Sequence, residues 1–177
     1  ATSGRTTLNG EGLQHQDGHS HLFSATIPNC LSYDPAYAYE LAVIFQHGIQ
    51  KMFVELENYY YYITVTNENY AQPSKPEGSD EGIIKGMYPL IENKEPQVIL
   101  LGSGSILNES VKAAEILSST GIAAEVWSVT SFNMLRKDGI NKQRFNELNP
   151  DLVSKGSYVE ECLSNESIPV IASTDYM

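Results

Sequence analysis

The sequence predicts an α/β protein built on parallel strands, in parts of two domains. Three observations carry this. Residues 97–129 hold a continuous apolar run, Val98-Ile99-Leu100-Leu101, then a Gly-Ser turn, a helical period and a second apolar strand. A run that is apolar on both faces marks a strand covered by helices on each side. Two such strands joined through a helix pair in parallel by a right-handed crossover. Residues 27–66 read as a short strand, a helix and a tyrosine-rich strand. Between the two regions, residues 67–96 carry Pro73, Pro76, Gly78, Gly82, Gly86, Pro89 and Pro96, too long a stretch for an ordinary loop inside one compact domain.

Each element follows in order. The first 25 residues, rich in Gly, Thr, His and Ser, show neither the helical nor the strand period and predict an irregular loop region. Ile27-Pro28-Asn29-Cys30-Leu31-Ser32-Tyr33 reads as a short strand closed by Asp34-Pro35. Asp34 can cap a helix, and Pro35 suits a first helical position, where its missing N–H would be unpaired anyway. The spacing predicts a helix over residues 36–53, with Tyr39, Ala42, Val43, Gln46 and Ile49 on one face. Leu41, Ile44, Phe45 and Gly48 widen its apolar arc, which predicts a largely buried helix. Residues 59–66, aromatic and β-branched throughout, predict a strand whose alternate tyrosines face the core and a neighbouring layer.

Residues 67–96 read as a crossover with a short strand near residues 82–91. After the strand at residues 98–101, Asn108 is expected to cap a helix that Gly121 ends. Residues 123–129 form the next strand, residues 136–148 are partly helical, and residues 159–163 make a short helix. Pro169-Val170-Ile171-Ala172-Ser173 is a further strand in the same style.

Composition excludes several classes. The 177 residues suit one domain or two small ones. With 22 acidic against 11 basic side chains, the net charge of −11 argues against nucleic-acid or anionic-membrane binding, which needs clustered Lys and Arg. The acidic excess is uneven but reaches no run of an acidic tail, and it reads as a solvated surface. Two cysteines far apart make neither a disulfide framework nor a metal-ligand spacing. An apolar content of 41% supports a packed core, and no apolar stretch is long enough to span a bilayer. The chain opens on Ala1 and stops at Met177 straight after an apolar run, which predicts a piece of something longer.

Two segments could carry chemistry. Gly102-Ser103-Gly104-Ser105-Ile106-Leu107 begins like a dinucleotide fingerprint between strand and helix, but Leu107 stands where the third glycine belongs. Val126-Trp127-Ser128-Val129 offers no carboxylate for a ribose, so a tight turn without a nucleotide is the better reading. The other segment is Gly10-Glu11-Gly12-Leu13-Gln14-His15-Gln16-Asp17-Gly18-His19-Ser20-His21, which gathers three of the four histidines beside two carboxylates. His15, His19 and His21 could converge on a metal, although Gly18 argues against the helix that would align His15 with His19. A histidine near its own pKa beside Glu11 and Asp17 could instead handle protons. A plain surface turn is the third reading.

At this loop the sequence resembles the homodimeric bacterial pyruvate dehydrogenase E1 family, thiamine-diphosphate enzymes of the transketolase superfamily. The resemblance lies in Ser3-Gly4-Arg5-Thr6-Thr7-Leu8-Asn9-Gly10-Glu11-Gly12-Leu13-Gln14-His15 and Asp17-Gly18-His19-Ser20-His21. It continues through Ser32-Tyr33-Asp34-Pro35-Ala36-Tyr37-Ala38-Tyr39-Glu40, Asn67-Glu68-Asn69-Tyr70, Leu100-Leu101-Gly102-Ser103-Gly104-Ser105 and Ala172-Ser173-Thr174-Asp175-Tyr176-Met177.

It implies a transketolase-like parallel-sheet fold. Residues 1–72 would be the later part of a pyrimidine-binding domain, 73–92 an interdomain crossover, and 93–177 the first part of a C-terminal domain. It implies that His15 lies over the cofactor's thiazolium and orients substrate-derived oxygens, with Glu11 in the same pocket. His19 and His21 share the motif without an assigned role. No residue is assigned to a metal or to cofactor anchoring, because the family's Gly-Asp-Gly element for Mg²⁺ and diphosphate does not occur in these 177 residues. The implied parent is a cytoplasmic bacterial homodimer. It decarboxylates pyruvate and acetylates the lipoyl group of dihydrolipoyl acetyltransferase (E2), and the 177 residues alone are expected to be inactive. A related two-oxoacid or transketolase-type enzyme, or a non-catalytic α/β module, are the alternatives.

Overall fold

The computed structural model describes residues 16–66, 68–164 and 167–176. Its elements are α1 (Ser20–Ala25), β1 (Cys30–Tyr33), α2 (Ala38–Ile49), β2 (Tyr60–Ile63), α3 (Asp80–Lys85) and β3 (Tyr88–Ile91). They continue as β4 (Val98–Gly102), α4 (Ile106–Ser119), β5 (Ala124–Ser128), α5 (Phe132–Leu148), α6 (Tyr158–Cys162) and β6 (Val170–Ser173). Two sheets result. β1 and β2 pair in parallel, in register from Cys30 with Tyr60 to Tyr33 with Ile63. The second sheet has the order β3-β5-β4-β6, parallel except for β3 at its edge. The fold is the α/β class that the sequence predicts.

The apolar run of β4 is buried along its whole length because both faces are covered. Val98 and Leu100 pack with Leu107 and Ala114 of α4, while Ile99 and Leu101 pack with Trp127, Met87 and Leu135 of α5. That alternation is the two-residue period of a strand between two layers. A third cluster joins the sheets: Leu31, Tyr33 and Ile44 meet Ile83 and Tyr88.

Several expectations change in detail. The helix expected over residues 36–53 starts at Ala38 and gives way to a π-helical turn, Gln50–Val54. Its buried positions are Glu40, Ile44 and Gly48, one stripe at intervals of four, whereas Phe45 and Ile49 face outward. A β-carbon at Gly48 would meet the Tyr61 ring at 3.4 Å, in van der Waals contact. Asp34 does not cap this helix. Instead the Glu40 carboxylate reaches back and accepts the backbone N–H groups of Ala36 (2.6 Å) and Tyr37 (2.9 Å). Its other oxygen accepts the hydroxyls of Tyr88 (2.6 Å) and Ser128 (2.5 Å), so one buried carboxylate ties α2 to the second sheet.

Residues 80–91 hold a helix before their strand, and α4 begins at Ile106, ahead of Asn108. α5 is helical from Phe132, because the Ser131 hydroxyl accepts the N–H of Met134 (3.0 Å) and caps it. The first 25 residues, expected to be irregular, contain α1, a single turn that weak helical periodicity could not reveal.

Candidate active site

Residues that follow the carboxyl ends of β1, β4 and β6 line one cavity, as the ends of parallel strands do in open α/β sheets. It measures about 240 Å³. Asp34 follows β1, Ser103 follows β4, and Thr174 and Tyr176 follow β6; His21 of α1 and Asn133 of α5 close the remaining sides.

The polar atoms form a connected set. The Thr64 hydroxyl lies 2.6 Å from Asp34 Oδ1 and 3.1 Å from His21 Nε2. Ser103 donates to the Thr174 hydroxyl (2.9 Å). The Asn133 amide nitrogen lies 2.7 Å from the His21 carbonyl and 2.6 Å from the Ser32 hydroxyl, pinning α1 to β1. The His21 ring stands edge-on to Tyr176 (4.5 Å between centroids) and to Tyr62 (5.7 Å).

Burial sets the charge states. It pushes the Asp34 carboxyl up to about 6, with the Thr64 and Ser103 hydroxyls opposing and the charges of Asp175 and Glu40 adding. Burial pushes His21 down to about 4, against the pull of Asp17. At neutral pH the cavity therefore holds a carboxylate and an uncharged imidazole. Asp34 Oδ2 is buried with no hydrogen-bond partner among the described residues.

The glycine-rich turn at residues 102–105 acquires a function different from a nucleotide's. Gly104 has φ +50°, and a β-carbon on it would stand 2.5 Å from Asp34 Oδ2. The N–H of Gly104 also donates to the Asp34 carbonyl (3.1 Å). The turn that resembles a phosphate cradle is occupied by the chain's own carboxylate.

Of the site residues expected from sequence, Glu11 and His15 lie outside the described residues. The rest of their segment is divided. Asp17 accepts the N–H groups of His19 (3.1 Å) and Ser20 (3.0 Å) and so starts α1. His19 is exposed beside Phe23, while His21 turns into the cavity. Among the described residues no group of three His, Cys, Asp or Glu side chains is placed to hold a metal. Cys30 and Cys162 are free thiols. Asp34, Thr64, Ser103 and Thr174 were not legible as site residues. Their one sequence signal was Gly104, whose missing side chain marks a close approach.

Solved structures with this arrangement are transketolases. One from Pichia stipitis superposes with a TM-score of 0.69 at 19% identity, over 97% of this chain and 22% of its own. One from Campylobacter jejuni gives 0.63 at 22% identity, over 96% and 26%. The fold and the strand-end cavity thus define a transketolase-like protein. Residues 1–73 match the family described as the pyruvate dehydrogenase E1 component middle domain, and residues 86–177 the transketolase-like TK C-terminal domain. The pyruvate dehydrogenase E1 component of Pseudomonas aeruginosa is 61% identical over 99% of the chain, and that of Escherichia coli 56%. Residues 86–177 place the chain in the transketolase-like family, and over nearly its whole length it is similar to pyruvate dehydrogenase E1 components. It spans 20% of the length of these relatives.

Proposed function

We propose that these residues form one wall of the active site of a pyruvate dehydrogenase E1 component. The complete protein would decarboxylate pyruvate and reductively acetylate the lipoyl group of E2, working as a homodimer in the bacterial cytoplasm. Residues 1–72 would close the pyrimidine-binding domain, 73–92 cross over, and 93–177 begin the C-terminal domain. The observation that carries the reading is the cavity itself, where His21 from the first of these segments meets Thr174 and Tyr176 from the last.

The cavity suits the substrate side of such a site. It offers an uncharged imidazole, hydroxyls and one buried carboxylate oxygen without a partner. Among the described residues no lysine or arginine lines it, so these residues do not fit the diphosphate of thiamine diphosphate or its Mg²⁺. Those anchors belong to other parts of the protein. Bound elsewhere in the complete protein, thiamine diphosphate would supply the nucleophilic carbon and the electron sink that decarboxylation of a 2-oxoacid requires. This chain's residues orient and exclude water. As the family resemblance implies, His15 would donate to substrate-derived oxygens as negative charge develops on them and Glu11 would share its pocket, while His21, neutral at pH 7, lines the cavity described above.

In the full-length protein, His15→Ala is expected to lower turnover by more than about tenfold with the circular dichroism spectrum unchanged. A loss below about threefold would overturn the role of His15. The 177-residue chain mixed with thiamine diphosphate, Mg²⁺ and pyruvate is expected to release no CO₂. Measurable release would show that the anchors lie within it.

A further inference from the structure

Two groups that line the cavity, Asp34 and the half-buried His21, are linked through the buried hydroxyl of Thr64 behind them. Asp34 leads to Thr64 and Thr64 to His21, at 2.6 Å and 3.1 Å. Each is held rigidly by the backbone. Asp34 N–H donates to the Thr130 carbonyl (2.7 Å), Thr64 N–H to the Tyr33 carbonyl (3.0 Å), and the carbonyl of His21 takes the Asn133 amide (2.7 Å). Thr64 is only 1% exposed, so water does not compete for its hydroxyl. That hydroxyl has a single proton to give, and besides Asp34 and His21 the Tyr33 carbonyl also lies within its reach, at 3.3 Å, the longest of the three. When it donates to Asp34, His21 Nε2 must carry a proton and donate to Thr64. When Asp34 carries the proton on Oδ1 and donates, the hydroxyl turns to donate to an unprotonated Nε2, and the ring proton sits on Nδ1. The polarity of the whole line is set at its Asp34 end.

We propose that Asp34, Thr64 and His21 form a proton relay in which Asp34 is a positioning residue, acting through the Thr64 hydroxyl to set the tautomer of His21. The transfer balances. The Oδ1–H bond of Asp34 breaks as Thr64 Oγ1 takes that proton, and the former hydroxyl proton forms the Nε2–H bond. The Nδ1–H proton then leaves for an oxyanion in the cavity. Asp34 ends as a carboxylate, His21 stays neutral with its proton moved from Nδ1 to Nε2, and the oxyanion gains one proton. The relay stands on this geometry; its use in turnover rests on the function proposed above.

Burial pushes the Asp34 carboxyl up to about 6, so that at neutral pH it is mostly a carboxylate with a minor protonated form that can donate, and holds the imidazole uncharged. The other titratable groups around the line are Asp17 before α1, Tyr62 of β2, Glu40 of α2, and Asp175 and Tyr176 after β6. None of them is part of the Asp34–Thr64–His21 line.

Histidine C2 hydrogen–deuterium exchange, read residue by residue by mass spectrometry across pH in the full-length protein, follows His21 without requiring turnover. Thr64→Val and Asp34→Asn are each expected to move its half-titration by about one pH unit. Thr64→Ser, which keeps the hydroxyl, should stay with the wild type. The double variant Asp34→Asn/Thr64→Val should move no further than Thr64→Val alone, because groups in series are not additive. Additive shifts would mean that Asp34 acts through space and would overturn the relay. So would a silent Thr64→Val, or a Thr64→Ser that behaves like Thr64→Val. If Thr64→Val does not fold, Thr64→Ala serves in the same cycle. A second arm compares kcat and KM for pyruvate against pH in Asp34→Asn, with a shifted acidic limb of kcat and little change in KM expected. An unshifted limb beside an intact exchange coupling overturns the use in turnover and leaves the relay. Absence of any pyruvate turnover in the wild type overturns the function and is likewise separable.

Discussion

In the four-stranded sheet every residue of β4 is buried, whereas the helix that crosses between β1 and β2 leaves Phe45 60% and Ile49 48% exposed. Both regions are parallel units with a connecting helix, yet they are held differently. The larger sheet has apolar layers on two sides. The smaller has two strands, fewer than a sheet needs for independent stability. It is fastened to the larger by one apolar cluster, Leu31, Tyr33 and Ile44 against Ile83 and Tyr88, and by directed polar bonds. Ser131 donates to the Ser32 carbonyl (2.5 Å), Tyr33 donates to the Ile84 carbonyl (2.9 Å), and Glu40 takes Tyr88 and Ser128. The difference shows how a segment with little core of its own stays in place. Its buried polar groups are satisfied across the junction, and leaving any of them unpaired costs far more than the bond contributes.

The sharpest way to break this comparison is to cut one side chain from each region. In the 177-residue chain, Leu101→Ala should cost about 3 kcal/mol, as for a buried leucine between two layers. Phe45→Ala should cost about 0.5 kcal/mol or less. Urea unfolding followed by the fluorescence of Trp127, the chain's one tryptophan, measures both. Equal losses would erase the distinction. A smaller effect tests the junction. Gly104→Ala places a β-carbon against Asp34 in a left-handed conformation and should cost about 2 kcal/mol. Gly78→Ala, also left-handed but facing open space, should cost about 1 kcal/mol by the same unfolding curves.

The smallest effect is one of slope. Asp34, pushed from 3.8 up to about 6, keeps a proton in the native state that the unfolded chain has lost, so its contribution falls as pH rises through that window. His21, pushed from 6.5 down to about 4, does the reverse: the unfolded chain holds the extra proton, and stability rises with pH between those values. The two oppose each other in the wild type. Asp34→Asn should therefore steepen the rise of stability with pH, and His21→Asn should turn it downward. Each change is at most about 1 kcal/mol per pH unit. Urea midpoints taken through the range decide it, and parallel curves would remove the charge states assigned to the cavity.

Much of this architecture could be read from the chain itself. Residues 98–101 could only be a doubly covered strand, because four consecutive apolar side chains point alternately to both faces. The tyrosine-rich strand and the β-α-β order follow from residue types whose preferences are local. The motif at residues 17–21 pointed to His21 without distinguishing it from His19, since two positions along a chain say nothing about which ring turns inward. Asp34 was read as a helix cap because a carboxylate beside a proline usually is one. Glu40, three residues inside the helix, took that role instead and left Asp34 for the cavity.

Local periodicity, turn residues and family motifs therefore determined the fold class, the strands and the neighbourhood of the site, because each depends on residues close together in sequence. The site's chemistry was decided elsewhere. Asp34, Thr64, Ser103 and Thr174 come from four strand ends, and only the packing of two sheets brings them together. The protonation of Asp34 depends on how completely that packing removes water, a property of the assembled tertiary structure that no single segment carries.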